Sequence, residues 1–180
     1  MDDWYYKGVA LQRQKRYAEA VRAYEQALFL KPNSAKCWYN KGNSLMKMHK
    51  SEAALHSFDQ AITINPQYLL AYLKKGNILR INQNYREAIG AYDAALKINP
   101  HFFDVLYRKA QVLENMKLYS ESIDYYDKVL EINPLHMKAT FRKGIVSIKR
   151  GKYPQGIKFI FLSLINALQL LYFSIVSYHF

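Results

Sequence analysis

His49, His56, His101, His136 and His179 are the residues of this chain best suited to hold a metal or move a proton, and their spacing supports neither role. No two stand four apart on a helical turn, and none forms the Glu-bearing pair that binds zinc. Cys37 is the only cysteine, so no internal disulfide can form. Nothing in phase with it would activate the thiol, which reads as a small buried or half-buried side chain rather than a nucleophile. Glu19, Glu87, Asp93, Asp127 and Glu131 recur at regular intervals, which suits solvated faces better than an acid–base pair. Neither a glycine-rich phosphate loop nor a Gly-x-Ser-x-Gly turn occurs. No enzyme activity, metal or cofactor is expected. His101 and His136 are expected to sit solvated in connecting loops.

Charge and aromatic rings remain as the carriers of function. The formal net charge is +12, in a chain whose 51% hydrophobic and 22% charged residues mark it as folded rather than disordered. The charge therefore belongs to a structured surface. Lys and Arg never run longer than a pair, and from Ile157 onward Lys158 is the only charged side chain. Such a surface suits an acidic protein, a nucleic acid or an anionic membrane face.

The elements that position these residues follow from a period. Pro32, Pro66, Pro100 and Pro134 stand 34 residues apart. Gly8, Gly42, Gly76, Ala110 and Gly144 share one phase, Ala20, Ala54, Ala88, Ser122 and Gly156 another, and Tyr24, Phe58, Tyr92 and Tyr126 a third. A repeat of this length marks stacked copies of one supersecondary unit. Apolar residues at helical spacing predict two amphipathic helices per copy, in the second copy roughly over 35–48 and 52–64. The Asn-Pro pairs at 65–66, 99–100 and 133–134 end the second helix, because proline disfavours the helical conformation of the residue before it. Small residues at the Gly8 and Ala20 phases let the two helices approach, and the rings at the Tyr24 phase fill the space between hairpins.

The series Trp4, Gly8, Leu11, Ala20, Tyr24, Ala27, Pro32 resembles the tetratricopeptide repeat. It recurs as Trp38, Gly42, Leu45, Ala54, Phe58, Ala61, Pro66 and as Tyr72, Gly76, Leu79, Ala88, Tyr92, Ala95, Pro100. A looser fourth copy reads Leu106, Ala110, Leu113, Ser122, Tyr126, Val129, Pro134. The fifth keeps Gly144 and Gly156 but has Ile160 at the ring phase. The resemblance implies an all-α fold, a right-handed superhelical solenoid of antiparallel helix hairpins. The copies divide as residues 1–34, 35–68, 69–102, 103–136 and a degenerate 137–167, followed by an apolar capping helix or tail over 168–180. Lys7, Lys41, Lys75, Lys109 and Lys143 stand where the family usually has leucine. Their stems are expected to cover apolar surface while the ammonium groups stay wet.

The resemblance also implies that the first helix of each hairpin lines a groove for an extended peptide or a partner helix. Carried onto this chain, the groove positions are Tyr5, Tyr39, Asn40, Asn43, Lys74, Asn77, Tyr107, Arg108, Gln111, Lys138, Phe141 and Arg142. Rings offer rigid contact area, amides can bond a peptide backbone and arginine can fork onto a carboxylate. The expected function is a protein-interaction scaffold or adaptor with a protein or peptide ligand of acidic character. A chaperone C-terminal tail is not favoured, because Leu73 and Arg108 replace the lysine and asparagine of that clamp. Nucleic acid is also disfavoured, since the groove residues vary without the per-repeat code of helical RNA readers, although an RNA-binding repeat is the competing class.

Residues 159–178 carry no charge, and twenty helical residues span about 30 Å, the thickness of a bilayer core. A membrane-tethered adaptor held from the cytosolic side is therefore an alternative. The preferred reading is a last helix capping the stack, with Ser163, Asn166, Ser174 and Ser177 on its polar side; a tail that is not authentic coding sequence is the third. The Met1-Asp2-Asp3-Trp4 start lacks a secretory pattern, and a cytoplasmic location is expected.

Overall fold

Each period closes at a left-handed turn. Lys15, His49, Gln83 and Lys117 have φ of 58–62°, and Gly151 takes the same place at 87°. The next residue returns its N–H to a carbonyl five positions back: Arg16 to Leu11, Lys50 to Leu45, Asn84 to Leu79, Leu118 to Leu113 and Lys152 to Ser147, at 2.9–3.0 Å. This closure satisfies carbonyls that the helix end would leave bare. The second helix of a copy stops differently. Asn65 is extended, with φ −133°, and its side-chain oxygen accepts the N–H of Gln67 across Pro66 at 3.0 Å. Asn133 does the same for Leu135 at 3.2 Å.

In this computed structural model residues 2–177 are described, with side chains from Asp3 to Gln169. They are helical and contain no strand. Two compact units divide the chain, Met1–Asn99 and Pro100–Phe180. The first holds three hairpins: α1 (Asp2–Arg13) with α2 (Tyr17–Leu30), α3 (Ala35–Lys47) with α4 (Ser51–Ile64), and α5 (Leu69–Ile81) with α6 (Tyr85–Ile98). The second holds α7 (Phe103–Asn115) with α8 (Tyr119–Ile132), and α9 (Met137–Lys149) with α10 (Tyr153–Ser177).

The glycine and ring phases meet inside a hairpin. A Cβ on Gly8, Gly42 or Gly76 would lie 2.6, 2.8 or 2.5 Å from the ring of Tyr24, Phe58 or Tyr92. Those rings and Tyr126 are fully buried, each contributing about 1.5–3 kcal/mol of apolar burial. In the last hairpin Ile160 replaces the ring, and Gly144 and Gly156 bring the backbones together: a Cβ on Gly144 would lie 2.9 Å from the Gly156 carbonyl oxygen.

The lysines at the leucine phase are not simply wet. Lys41 pairs with Glu25 at 2.9 Å, Lys75 with Asp59 at 2.6 Å, and Lys143 with Asp127. In each case the acid lies sixteen residues upstream, so the ion pair joins one hairpin to the next. Asp127, expected on a solvated face, is thus an inter-hairpin partner. His136 also departs from expectation. It caps α9, its Nδ1 accepting the Ala139 N–H at 3.0 Å, with its ring 5.2 Å from that of Tyr107.

The last helix is longer than its neighbours and turns its polar residues inward. α10 runs unbroken through residue 168 and is 25 residues long against 13 in α9. Ser163 and Asn166, expected together on one side of the helix, are 5% exposed, whereas Phe161, Leu164 and Leu168 face solvent. Ser177 lies in the helix, but its side chain and that of Ser174 are outside the described residues, as is Tyr178 at the end of the candidate membrane segment. Among the described residues no helix is long and apolar enough to cross a membrane.

Candidate functional site

In the first unit the predicted groove residues lie on α1, α3 and α5. Tyr5 is half-buried on α1, its ring 6.1 Å from that of Tyr24 and 5.3 Å from that of Tyr6. Its hydroxyl accepts a hydrogen bond from Asn40 Nδ2 on α3 at 2.9 Å, so two predicted residues from neighbouring hairpins are joined directly. Tyr39 is spent partly on packing, its ring 5.8 Å from that of Phe58 and 5.1 Å from that of Tyr68. Asn43 is half-buried on α3. Asn77 is committed inward, where its Oδ1 accepts the Tyr92 hydroxyl at 3.0 Å. Lys74 is half-buried and engaged in an interaction of its own.

Beside the Tyr5–Asn40 bond lies a cavity of about 220 Å³, walled by Tyr5, Tyr6, Ala27, Lys31, Ser34, Lys36 and Cys37. The loop after α2 and the start of α3 build it. Ser34 caps α3, its hydroxyl accepting the Cys37 N–H at 3.3 Å. The Cys37 thiol donates to the Tyr24 carbonyl at 3.5 Å and is buried, and that burial pushes its pKa up to about 11 despite the opposing charge of Lys41. It is a protonated wall, not a nucleophile. Lys31 and Lys36 are exposed, and the Lys36 ammonium sits 5.6 Å from the Tyr5 ring centroid. Two exposed lysines and two tyrosine rings thus line the cavity together with Ser34 and the buried Ala27 and Cys37.

In the second unit the predicted cations are less available. Arg108 donates to Gln111 Oε1 at 3.2 Å, and its guanidinium lies 5.9 Å from the Tyr107 ring centroid. The Tyr107 ring is itself 5.8 Å from that of Tyr126. Arg142 reaches Glu114, a carboxylate with 3% side-chain exposure, at 3.4 Å, and Lys149 reaches the same group at 2.9 Å. Tyr126 completes the cluster, donating its hydroxyl to Glu114 Oε2 at 3.2 Å. Burial, then the Glu114 charge, raise the Tyr126 pKa. Lys138 and Phe141 are exposed on α9. The basic ladder thus has an acid at its centre in this unit, and Arg142 is an internal partner before it is a ligand contact.

Sequence reasoning missed Lys31, Lys36, Glu114 and Lys149. Glu114 was legible in principle, because it stands three periods after Gln12, which accepts the Tyr24 hydroxyl at 2.8 Å. Lys31 precedes Pro32 in the loop after α2, and Lys36 stands in the first turn of α3, outside the positions that the family's groove implies. Among the described residues no group of three His, Cys, Asp or Glu could hold a metal ion.

Chain-wide comparison agrees with this geometry. One tetratricopeptide repeat profile matches residues 2–34 and 35–68, and a second tetratricopeptide repeat profile matches 73–136. No curated protein sequence matches the chain. Among solved structures, MamA superposes with a TM-score of 0.88 at 21% identity, covering 91% of this chain and 96% of the other. A MamA fragment from Desulfovibrio magneticus RS-1 gives 0.88 at 15%, over 93% and 95%. YrrB, described as a TPR protein with an unusual peptide-binding site, gives 0.80 at 16%, over 91% and 84%. At such identities the likeness is one of fold. Profiles that cover most of the chain, together with helix pairs closed at every period, place this protein in the tetratricopeptide repeat family, whose all-helical fold serves as a protein-interaction scaffold.

Proposed function

We propose that this chain is a noncovalent adaptor whose first unit takes an extended acidic peptide on the faces of α1 and α3. The observation that carries the reading is the cavity beside the Tyr5–Asn40 bond, with Lys31 and Lys36 lining it. An acidic side chain entering it meets two ammonium groups and the hydroxyl-bearing rings of Tyr5 and Tyr6. Asn43, one turn along α3 from Tyr39 and Asn40, is placed to bond the peptide backbone. Lys138 and Phe141 offer the same pairing of cation and ring in the second unit. The role assigns the chain no catalytic step. A peptide site in YrrB, a protein of similar fold, supports the class of ligand and says nothing of its sequence.

The test is fluorescence anisotropy with a labelled acidic peptide, its basic counterpart and a labelled single-stranded RNA. Lys36→Glu combined with Lys31→Glu should weaken the acidic peptide at least about tenfold, since two charge contacts are reversed. Lys97→Glu, on the exposed side of α6, should leave binding unchanged. Equal affinity for acidic and basic peptides removes the proposal, and tight RNA binding that falls steeply with salt replaces it with the nucleic-acid reading. Amidating the peptide's C-terminus separates side-chain recognition from capture of a terminal carboxylate.

A further inference from the structure

α10 turns polar residues inward and apolar residues outward. Its polar Ser163 and Asn166 are 5% exposed, while Leu162 and Ile165, at 41% and 49%, widen an exposed apolar face that also holds Ile157, Phe161, Leu164 and Leu168, and of these last four the exposures are 49%, 62%, 54% and 67%. These four follow a 4-3-4 spacing, which the sequence continues at Leu171, Ile175 and Tyr178. A repeat of 3.5 residues is the seam of a helix that packs along another helix. Single exposed hydrophobes need no explanation, but a continuous stripe with buried polar residues behind it does.

The repeat register says what this stripe is. Ile157, Phe161 and Leu164 stand four periods after Val21, Glu25 and Leu28. In the first unit those residues face the next hairpin: Leu28 is buried in a cluster with Cys37, Val21 packs on the core of the second copy, and Glu25 pairs with Lys41. The outer face of α10 is therefore an inter-hairpin face without its cover. It has also lost the acid that receives a lysine from the following helix, because Phe161 stands where Glu25, Asp59 and Asp127 stand earlier. A helix carrying that lysine, such as α1 of another copy with Lys7, would bury an ammonium there with no carboxylate to receive it. A wholly apolar helix fits without that cost.

We propose that the cover is α10 of a second copy, packed antiparallel across a two-fold axis near Leu168. The helix supplies its own complement, apolar against apolar, and a two-fold contact uses the same patch on both partners. Charge selects the direction. The cations Lys149, Arg150, Lys152 and Lys158 gather at the start of α10, and residues 159–178 carry none. Parallel pairing sets the two basic ends side by side, whereas antiparallel pairing sets each beside an uncharged end. Length agrees, because α10 exceeds α9 by twelve residues, about 18 Å of helix beyond the reach of its hairpin partner. A lipid surface fits less well. A helix lying in a membrane interface carries its cations on the polar face, and here that face is Ser163 and Asn166, turned inward.

Sedimentation of the full chain across a concentration series tests this. The expected species is twice the 21.2 kDa chain mass. Phe161→Asp, which restores the acid of the earlier copies, should give a monomer of unchanged helicity, and Leu164→Lys provides the same readout should the first variant lose its fold. In a Cys37→Ala background, Leu168→Cys should cross-link to itself on mild oxidation and Ile157→Cys should not. A wild-type monomer at every concentration overturns the proposal, as does a dimer that survives both substitutions. Self-cross-linking at position 157 overturns the antiparallel arrangement. End-to-end polymers dispersed by Lys7→Glu point instead to docking of α1, and a monomer that floats with phosphatidylcholine vesicles points to lipid; either result replaces the second copy.

Discussion

Gly76→Ala tests the packing rule that repeats along this chain, and its effect has a sign that two opposed terms decide. A Cβ at this position would lie 2.5 Å from the Tyr92 ring, about 1 Å inside ordinary carbon–carbon contact. The ring cannot swing away, because it is fully buried and its hydroxyl is held by Asn77 at 3.0 Å. Overpacking of this kind costs about 1–3 kcal/mol. Helix propensity returns about 1 kcal/mol, leaving a net loss of about 0–2 kcal/mol. Gly90 is the internal control. It is exposed on α6 with nothing within 4 Å of its would-be Cβ, so Gly90→Ala gains about 0.5–1 kcal/mol from propensity alone. The two variants should differ by about 1–3 kcal/mol, a gap of about 2–12 °C in melting temperature for a chain of this size. Thermal melts followed by far-UV circular dichroism read this directly. The fourth copy already carries Ala110 opposite a buried Tyr126, which shows that a hairpin can seat both when its helices are set for it. If Gly76→Ala melts as high as Gly90→Ala, the close approach of α5 and α6 is not what the glycine is for.

Two further outcomes follow from the buried ionisable groups. Glu114→Gln keeps an acceptor for the Tyr126 hydroxyl but frees Arg142 and Lys149, whose side chains are each 45% exposed and stay hydrated. The loss of charge-assisted bonds is largely offset by the lower cost of burying an amide, so chemical denaturation should show stability falling by about 1 kcal/mol, and a loss above about 3 kcal/mol contradicts this balance. The Cys37 thiol is pushed up to about 11 by burial, with Lys41 opposing, against about 8.5 for a free thiol. A pKa raised on folding contributes stability that is complete below the unfolded value and lost as pH rises toward the folded one. Tyr24, raised by burial and then by Tyr5, acts in the same direction. Melting temperature should therefore decline above about pH 9, and a thiol reagent at pH 8 should label Cys37 no faster than the chain unfolds. Rapid labelling of the native chain contradicts the buried-thiol assignment.

Periodicity made the hairpins legible because proline, glycine and ring phases each report a local steric demand. The left-handed turns were not legible in the same way. Lys15, His49, Gln83 and Lys117 are not residues that announce positive φ, and the turn holds them there because the i to i−5 closure and the packing of both helices outweigh the local cost. Only Gly151 signals the conformation by its type. Of the positions that the family resemblance implies for a groove, Tyr5 and Asn40 do meet, and Lys138 and Phe141 are exposed. What position alone could not reveal is which polar side chains are already occupied. Asn77 turns inward to Tyr92 and Arg142 to Glu114, because a buried hydroxyl or carboxylate must find a partner and takes the nearest one.

That demand for partners separates two kinds of departure from the repeat. Inside a hairpin, a change at the ring phase arrives with a matching change at the position twelve residues upstream. Tyr24 has Gln12, Tyr126 has Glu114, and Phe58, which has no hydroxyl, has Met46 in that place. Tyr92 faces Arg80 in this register and gives its hydroxyl to Asn77 instead, while Arg80 Nε is left buried without a partner among the described residues. Each buried tyrosine hydroxyl is thus answered within its own hairpin. The departures at Phe161 and Leu168 are answered by nothing in the described residues of the chain: the acid is gone, the stripe is exposed, and the polar residues that would suit water face inward. Apolar burial is worth about 25 cal/mol for each Å² removed from water, so a stripe of four large side chains leaves several kcal/mol unrealised until another surface covers it. The same physics that ties Glu114 to Tyr126 within a hairpin therefore directs the outer face of α10 toward a surface that the described residues do not supply.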